Sequence, residues 1–106
     1  MVTSISSPAI YNGRVAKVPP ALSQYEQLMR VLELYVQLLI ARTSMGDYWP
    51  EGLQDVANLV AVLPLPTGEY SSVKRHLKNA VVYCQQEEFG AATFELRALR
   101  GHLQRL

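Results

Sequence analysis

The stretch "ALSQYEQLMRVLELYVQLLIARTSM", residues 21–45, decides the fold of this protein. Apolar side chains recur along it every three or four residues, which is the spacing of a helix face. The stretch contains neither glycine nor proline, and Gly46, a residue type that often ends helices, follows it directly. The pattern therefore predicts one long α-helix that ends near Met45.

This helix carries two apolar rows. The wider row consists of Tyr25, Leu28, Met29, Leu32, Tyr35, Val36 and Leu39, and the narrower row consists of Val31, Leu34 and Leu38. A surface helix usually buries a single apolar stripe and keeps about half of its circumference polar. A small chain has too few other helices to cover both rows, so we predict that the narrower row binds a partner.

The rest of the chain shows three more helical segments, over about 51–63, 69–86 and from residue 89 onward. The last segment, "FGAATFELRALRGHLQRL", carries a leucine row that includes Leu96, Leu99 and Leu103. Short connections favour antiparallel neighbours. No segment has a sustained strand pattern, so we predict an all-α fold, a small antiparallel helical bundle of about four helices.

A chain of 106 residues is long enough for one domain. Residues 1–19 are rich in Ser, Pro, Asn and Gly and contain the turn signal "YNG". We therefore predict an extended, flexible N-terminal arm over 1–19 and a single helical domain over 20–106.

The charge of the chain does not favour nucleic acid as its main partner. The net charge is +1, and charged residues make up 18% of the chain against a typical ~25%. The basic side chains gather toward the C-terminal third, where Lys74, Arg75 and Lys78 lie on the third helix. A nucleic-acid-binding accessory protein that uses these three residues is one alternative function.

Other composition signals concern the compartment and cofactors. Cys84 is the single cysteine, which fits a reducing compartment, and no signal peptide pattern opens the sequence. The longest apolar run, "LYVQLLIA" at 34–41, is too short to span a bilayer. Because phosphate-loop and zinc-ligand motifs are also missing from the sequence, we expect a cytoplasmic protein without membrane partner, metal or cofactor.

One two-residue motif points to an enzyme. Arg97 and His102 are separated by four residues, and this spacing resembles the R-x4–6-H element of the helical ribonucleases called HEPN domains. The resemblance implies an arginine and a histidine that converge on an RNA phosphate in a dimer. Imidazole can act as a general acid or base near neutral pH, and guanidinium can hold phosphate charge. A HEPN-like ribonuclease with Arg97 and His102 as catalytic residues is therefore the other alternative.

A second local pattern joins the third and fourth helices. Phe89, Ala92 and Leu96 resemble the second half of a tetratricopeptide repeat, with Glu87 in place of the glycine expected before the aromatic residue. The resemblance covers ~20 residues. It implies that the two helices pack as a hairpin.

The loop "GDYWPEG", residues 46–52, adds Tyr48 and Trp49 to the candidate partner-binding residues, because Tyr and Trp are enriched in binding hot spots. Together with Val31, Leu34 and Leu38 they favour a non-catalytic protein–protein interaction module, such as an adaptor, a chaperone-like protein or a regulatory subunit. The simplest partner for an uncovered apolar row is the same row of a second copy, so we expect a homodimer.

Overall fold

The computed structural model of the protein describes the backbone of residues 20–106 and side chains from residue 24 onward. Its elements are four α-helices, α1 (Pro20–Ser44), α2 (Pro50–Val62), α3 (Thr67–Gln85) and α4 (Phe89–Gln104). The prediction of a small all-α bundle is confirmed, and the predicted bounds agree within two residues. The predicted arm, residues 1–19, lies outside the described residues.

The four helices pack in chain order around one core. The hairpin of α3 and α4 has the most extensive contacts, α1 packs on α4, and α2 lies between α1 and α3. Glu69 pairs with His102 and His76 pairs with Glu95, so residue numbers rise along α3 as they fall along α4. These two pairs fix the antiparallel direction of the hairpin.

The core receives one apolar row from each helix. The wider row of α1 contributes Leu32, Val36 and Leu39, and the leucine row of α4 contributes Leu96, Leu99 and Leu103. The buried apolar residues of α2 and α3 are Leu53, Val56, Val60, Val73, Leu77, Ala80 and Cys84. Burial of a large aliphatic side chain stabilises a fold by roughly 1.5–3 kcal/mol, so these rows hold the bundle together.

The helices α1 and α3 end in the same Schellman motif. After α1, the N–H groups of Gly46 and Asp47 donate to the carbonyl oxygens of Thr43 and Arg42, both at 2.9 Å. After α3, Glu87 and Glu88 repeat this pair of bonds. The motif requires one residue in the left-handed backbone conformation, with φ of 78° at Gly46 and 59° at Glu87. Glycine adopts this conformation without strain, whereas the side chain of Glu87 strains it.

The helix α3 begins at Thr67, two residues before the predicted start at residue 69. Its N-cap is Pro66, although threonine is the more typical N-cap residue type. The Pro66 carbonyl accepts from the Tyr70 N–H at 2.8 Å, which starts the helix before a threonine cap is needed. None of the helices in the described part of the chain has an apolar stretch long enough to cross a bilayer.

Candidate functional site

The narrower row of α1 lies on the outside of the bundle. Val31 is 42% exposed, Leu34 61% and Leu38 48%, and Met45, just beyond the helix end, is 79% exposed. Met45 follows Leu38 by seven residues, or two helical turns, and therefore continues the row. We call Val31, Leu34, Leu38 and Met45 the outer row.

Trp49 borders the outer row. Its ring stacks on Tyr35 with 6.0 Å between ring centroids and an interplanar angle of 15°, and the Arg42 guanidinium lies 4.3 Å from its centroid. Arg42 is held in turn by Asp47, with 2.7 Å between Nε and Oδ2. Trp49 thereby closes one side of a shallow apolar groove of about 230 Å³, lined also by Leu34, Tyr35 and Leu38.

The position of Trp49 depends on Gly52. A Cβ atom added to Gly52 would lie 2.2 Å from Cε3 of Trp49, far inside van der Waals contact. Gly52 is buried in the first turn of α2, where the absence of a side chain lets the indole lie directly on the helix backbone. A glycine inside a helix usually lowers the stability of that helix. At position 52 this cost accompanies the close packing of the Trp49 indole.

Tyr48 does not join the outer row. It lines a larger groove of about 600 Å³ between α2 and α3, whose apolar lining includes Leu53, Leu77 and Val81. The two aromatic residues that sequence reasoning placed in one binding loop therefore serve different surfaces. Trp49 faces the outer row, and Tyr48 faces the groove between α2 and α3.

The basic residues of α3 lie on its exposed side. Lys74 and Lys78 border the groove between α2 and α3, and Nζ of Lys74 lies 5.1 Å from the ring centroid of Tyr70. Arg75 is exposed but does not line this groove. Since Arg75 and Lys78 are three residues apart on one helix, the three candidate nucleic-acid contacts form one small basic patch at the edge of an apolar groove.

Both histidines of the chain lie together on the hairpin of α3 and α4. His76 Nδ1 is 2.8 Å from Oε1 of Glu95, and His102 Nδ1 is 2.8 Å from Oε1 of Glu69. The two imidazole rings are 5.3 Å apart between centroids, at an interplanar angle of 34°. We call Glu69, His102, His76 and Glu95 the histidine row.

The candidate ribonuclease residues have different surroundings. The Arg97 side chain is exposed and forms no hydrogen bond or ion pair with any side chain from residue 24 to 106. His102 is directed to Glu69, and the nearest guanidinium nitrogen is Nη2 of Arg105, 3.0 Å from its Nδ1. His102 thus has the Glu69 carboxylate and Arg105 as partners. Within the described chain it does not form a catalytic pair with Arg97.

Within residues 24–106, the pKa values of two side chains are clearly shifted. The Asp55 carboxylate charge raises the pKa of the Tyr35 phenol, and the hydrogen bond from Tyr35 to Asp55 (3.3 Å) and burial act in the same direction. Burial raises the pKa of the Cys84 thiol, while a hydrogen bond with Thr43 opposes this shift. Cys84 therefore stays a protonated, buried thiol at neutral pH, which is the opposite of an activated nucleophile.

Comparisons with known proteins identify no relative. No protein-family model matches the sequence, and neither the curated proteins nor the solved structures include a significant match. Within residues 24–106, no three His, Cys, Asp or Glu side chains are grouped so that they could hold a metal ion. The function must therefore be argued from the surfaces of the chain itself.

Proposed function

We propose that this protein is a non-catalytic protein–protein interaction module that binds through the outer row of α1. The observation that carries the proposal is the exposure of Leu34, the most exposed of the three helical residues of that row, at 61%. Exposed large apolar residues are unremarkable when scattered, but a contiguous row beside an aromatic groove is typical of interaction sites. Trp49 adds the side-chain type that most often dominates binding energy.

The spacing of the outer row favours a second copy of the chain as the first partner. Val31 and Met45 lie seven residues before and after Leu38. If two α1 helices pack antiparallel with the two-fold axis at Leu38, each Val31 meets the Met45 of the other copy and Leu38 meets itself. The row is self-complementary at Val31, Leu38 and Met45, as a two-fold interface requires, while Leu34 faces Arg42 of the other copy. Its steps of three, four and seven residues fit the heptad spacing of helix pairs that pack side by side.

A dimer of this kind would suit an adaptor or regulatory subunit. The groove between α2 and α3 involves other helices than the outer row, so it would stay available in each copy for a foreign chain. Its apolar lining and the two lysines at its edge suit an amphipathic helix with acidic residues. The buried thiol of Cys84 is compatible with work in the reducing cytoplasm.

The two alternative functions have weaker support. The exposed Arg97 and the carboxylate-bound His102 are not arranged as a catalytic pair within one chain. The nucleic-acid alternative has three bases on one helix, two of them beside an apolar groove, and this patch is small for the basic face that nucleic-acid binding needs. Absence of RNA cleavage by purified protein, with His102→Ala as the matched variant, would remove the ribonuclease alternative.

Sedimentation velocity on purified protein tests the proposal. We expect the wild type to be dimeric at micromolar concentration and Leu38→Glu to be a folded, helical monomer, because an unpaired carboxylate is costly only where a partner buries it. Val62→Glu is the matched control, since Val62 is also an exposed apolar residue but lies on α2. This control should remain dimeric.

Two results would contradict the proposal. A wild type that stays monomeric at ~100 μM would be too weak in self-association for a constitutive dimer. Equal dissociation of the dimer by Leu38→Glu and Val62→Glu would mean that the interface lies elsewhere. Circular dichroism on each variant distinguishes loss of the dimer from loss of the fold.

A further inference from the structure

Each imidazole of the histidine row has a second ring nitrogen, Nε2, that takes no part in the hydrogen bonds of the row. An ionised carboxylate can only accept hydrogen bonds, so the bonds to Glu95 and Glu69 are formed when Nδ1 of His76 and Nδ1 of His102 carry the protons. Nη2 of Arg105 also lies 3.0 Å from Nδ1 of His102, and because a guanidinium only donates, it forms no hydrogen bond to this atom in that tautomer. In a neutral imidazole the other nitrogen then holds a lone pair. Each of the two rings therefore offers an Nε2 lone pair, and both rings lie in the same small region of the hairpin.

The order of contacts in the row places each imidazole between a carboxylate and the other imidazole. Glu69 contacts His102, the rings of His102 and His76 lie 5.3 Å apart between centroids, and His76 contacts Glu95. Asn79 donates to Glu95 at 3.4 Å and marks the same outer end. Because Nδ1 and Nε2 lie on nearly opposite sides of an imidazole ring, an Nδ1 that faces an outer carboxylate leaves Nε2 facing the space between the rings.

We propose that Nε2 of His76 and Nε2 of His102 form a two-nitrogen site for a divalent transition metal ion of the zinc and copper class. Two imidazoles that share a tetrahedral ion, each at ~2.1 Å from the metal, have ring centroids roughly 5 Å apart. The observed separation is 5.3 Å. Imidazole nitrogen is the protein ligand these ions commonly take.

The carboxylates complete the proposed site as positioning groups. Metal-bound histidines usually donate their second N–H to a carboxylate, which fixes the tautomer and raises ligand basicity. Glu69 and Glu95 already occupy this place. Their two negative charges offset the charge of a divalent ion, whereas the Arg105 guanidinium beside His102 opposes it. The side chains of His76 and Glu95 are each 14% exposed, whereas His102 is 21% and Glu69 35% exposed, so the Glu95 end of the row is the more shielded one.

The site has two protein ligands, and no third His, Cys, Asp or Glu side chain is within reach among residues 24–106. Water would fill the other positions, so we expect affinity on the order of micromolar and not the tight binding of a closed structural zinc site. A bound ion would join α3 to the C-terminal end of α4. It would therefore stabilise the part of the hairpin where α4 ends.

Few other side chains of the chain compete for the metal ion, which makes the proposal simple to test. His76 and His102 are its two histidines, and its single cysteine, Cys84, is buried in the core. A double variant, His76→Gln with His102→Gln, therefore removes every imidazole and still offers hydrogen-bonding side chains to Glu69 and Glu95. Glu88→Gln is the matched control, because Glu88 is an exposed carboxylate outside the row.

Isothermal titration calorimetry of the full chain with ZnCl₂ should give one saturable site per chain. We expect the double variant to abolish it, Glu95→Gln to weaken binding about 10–100-fold, and Glu88→Gln to leave it unchanged. Electron paramagnetic resonance with Cu²⁺ is the second measurement. It should show hyperfine coupling to two imidazole nitrogens in the wild type and to one in His102→Gln.

Three results would overturn the proposal. Absence of saturable Zn²⁺ binding by the wild type would exclude the site, and Zn²⁺ binding that survives in the double variant would place the ion elsewhere. A Cu²⁺ spectrum with a single coupled nitrogen in the wild type would mean that the rings do not share the ion. Circular dichroism of each variant confirms that loss of binding is not loss of the fold.

Discussion

The leucine row of α4 and the outer row of α1 have similar composition and opposite surroundings. Leu96 and Leu99 are completely buried, whereas Leu34 and Leu38 are about half exposed or more. The reason is the number of neighbours. The α4 row lies between α1 and α3, while the outer row lies on the side of α1 that faces neither α2 nor α4. A leucine row therefore predicts contact with another apolar surface. The packing order of the helices decides whether that surface is the chain's own core.

The largest expected effect comes from truncating one leucine in each row. Leu99→Ala should lower the free energy of unfolding by roughly 2–5 kcal/mol, because it removes a fully buried side chain and leaves a cavity. Leu38→Ala should change the stability of the monomer by less than ~0.5 kcal/mol. Urea unfolding at submicromolar concentration, followed by circular dichroism, measures both. Similar losses of stability in the two variants would mean that both rows belong to the core of the monomer.

Gly52→Ala tests the packing of Trp49 at the edge of the outer row. The new methyl group overlaps the Trp49 ring, so the indole must leave its place between α2 and Arg42. We expect a loss of about 1–3 kcal/mol in stability and a shift of the tryptophan emission toward that of exposed indole. Fluorescence reads this directly, because Trp49 is the single tryptophan. An unchanged emission spectrum would show that Trp49 is not held on Gly52.

The two Schellman motifs offer a smaller effect with opposite signs. Gly46→Ala should destabilise the protein by about 1 kcal/mol, since alanine strains a left-handed position. Glu87→Gly should stabilise it by up to about 1 kcal/mol, because relief of the same strain exceeds the extra entropy of the unfolded glycine chain. Thermal unfolding of both variants checks the signs. A stabilising Gly46→Ala would be incompatible with the described turn.

The smallest effect concerns the ionisation of Tyr35 beside the outer row. Asp55 raises the pKa of the Tyr35 phenol above its unfolded value near 10. The neutral phenol therefore contributes stability that is fully present below about pH 10 and is lost as the pH rises through the folded pKa. Ultraviolet titration of the wild type minus Tyr35→Phe isolates this group. Asp55→Asn should move its titration to lower pH, and an unmoved curve would exclude Asp55 as the cause.

Much of the fold follows from sequence periodicity. The apolar spacing in residues 21–45 predicts α1, and the rows of the other helices identify core residues such as Val56, Leu77 and Leu99. Periodicity also separates the outer row from the wider row of α1. Met45 lies outside the partner-binding residues predicted from the sequence, although its spacing of seven residues from Leu38 indicates it, because the helix pattern ends there at Gly46.

The remaining features depend on which helices become neighbours. The pairing of His76 with Glu95 and of His102 with Glu69 joins residues 19 and 33 positions apart, and no local pattern encodes it. The separation of Tyr48 from Trp49 depends on the direction in which α2 leaves the loop. Glu87 stands where the repeat pattern has glycine, but only the Schellman bonds of the folded chain show its left-handed φ.

A disulfide at the proposed two-fold axis tests most directly the claim that one leucine row is core and the other an interface. In a Cys84→Ala background, Leu38→Cys places one thiol per chain where the outer row should meet its own copy. Mild oxidation should convert most of this variant to a covalent dimer, whereas Val62→Cys in the same background should stay mainly monomeric. Equal dimer yields from the two positions, or no disulfide at position 38 in a protein that sediments as a dimer, would contradict the account.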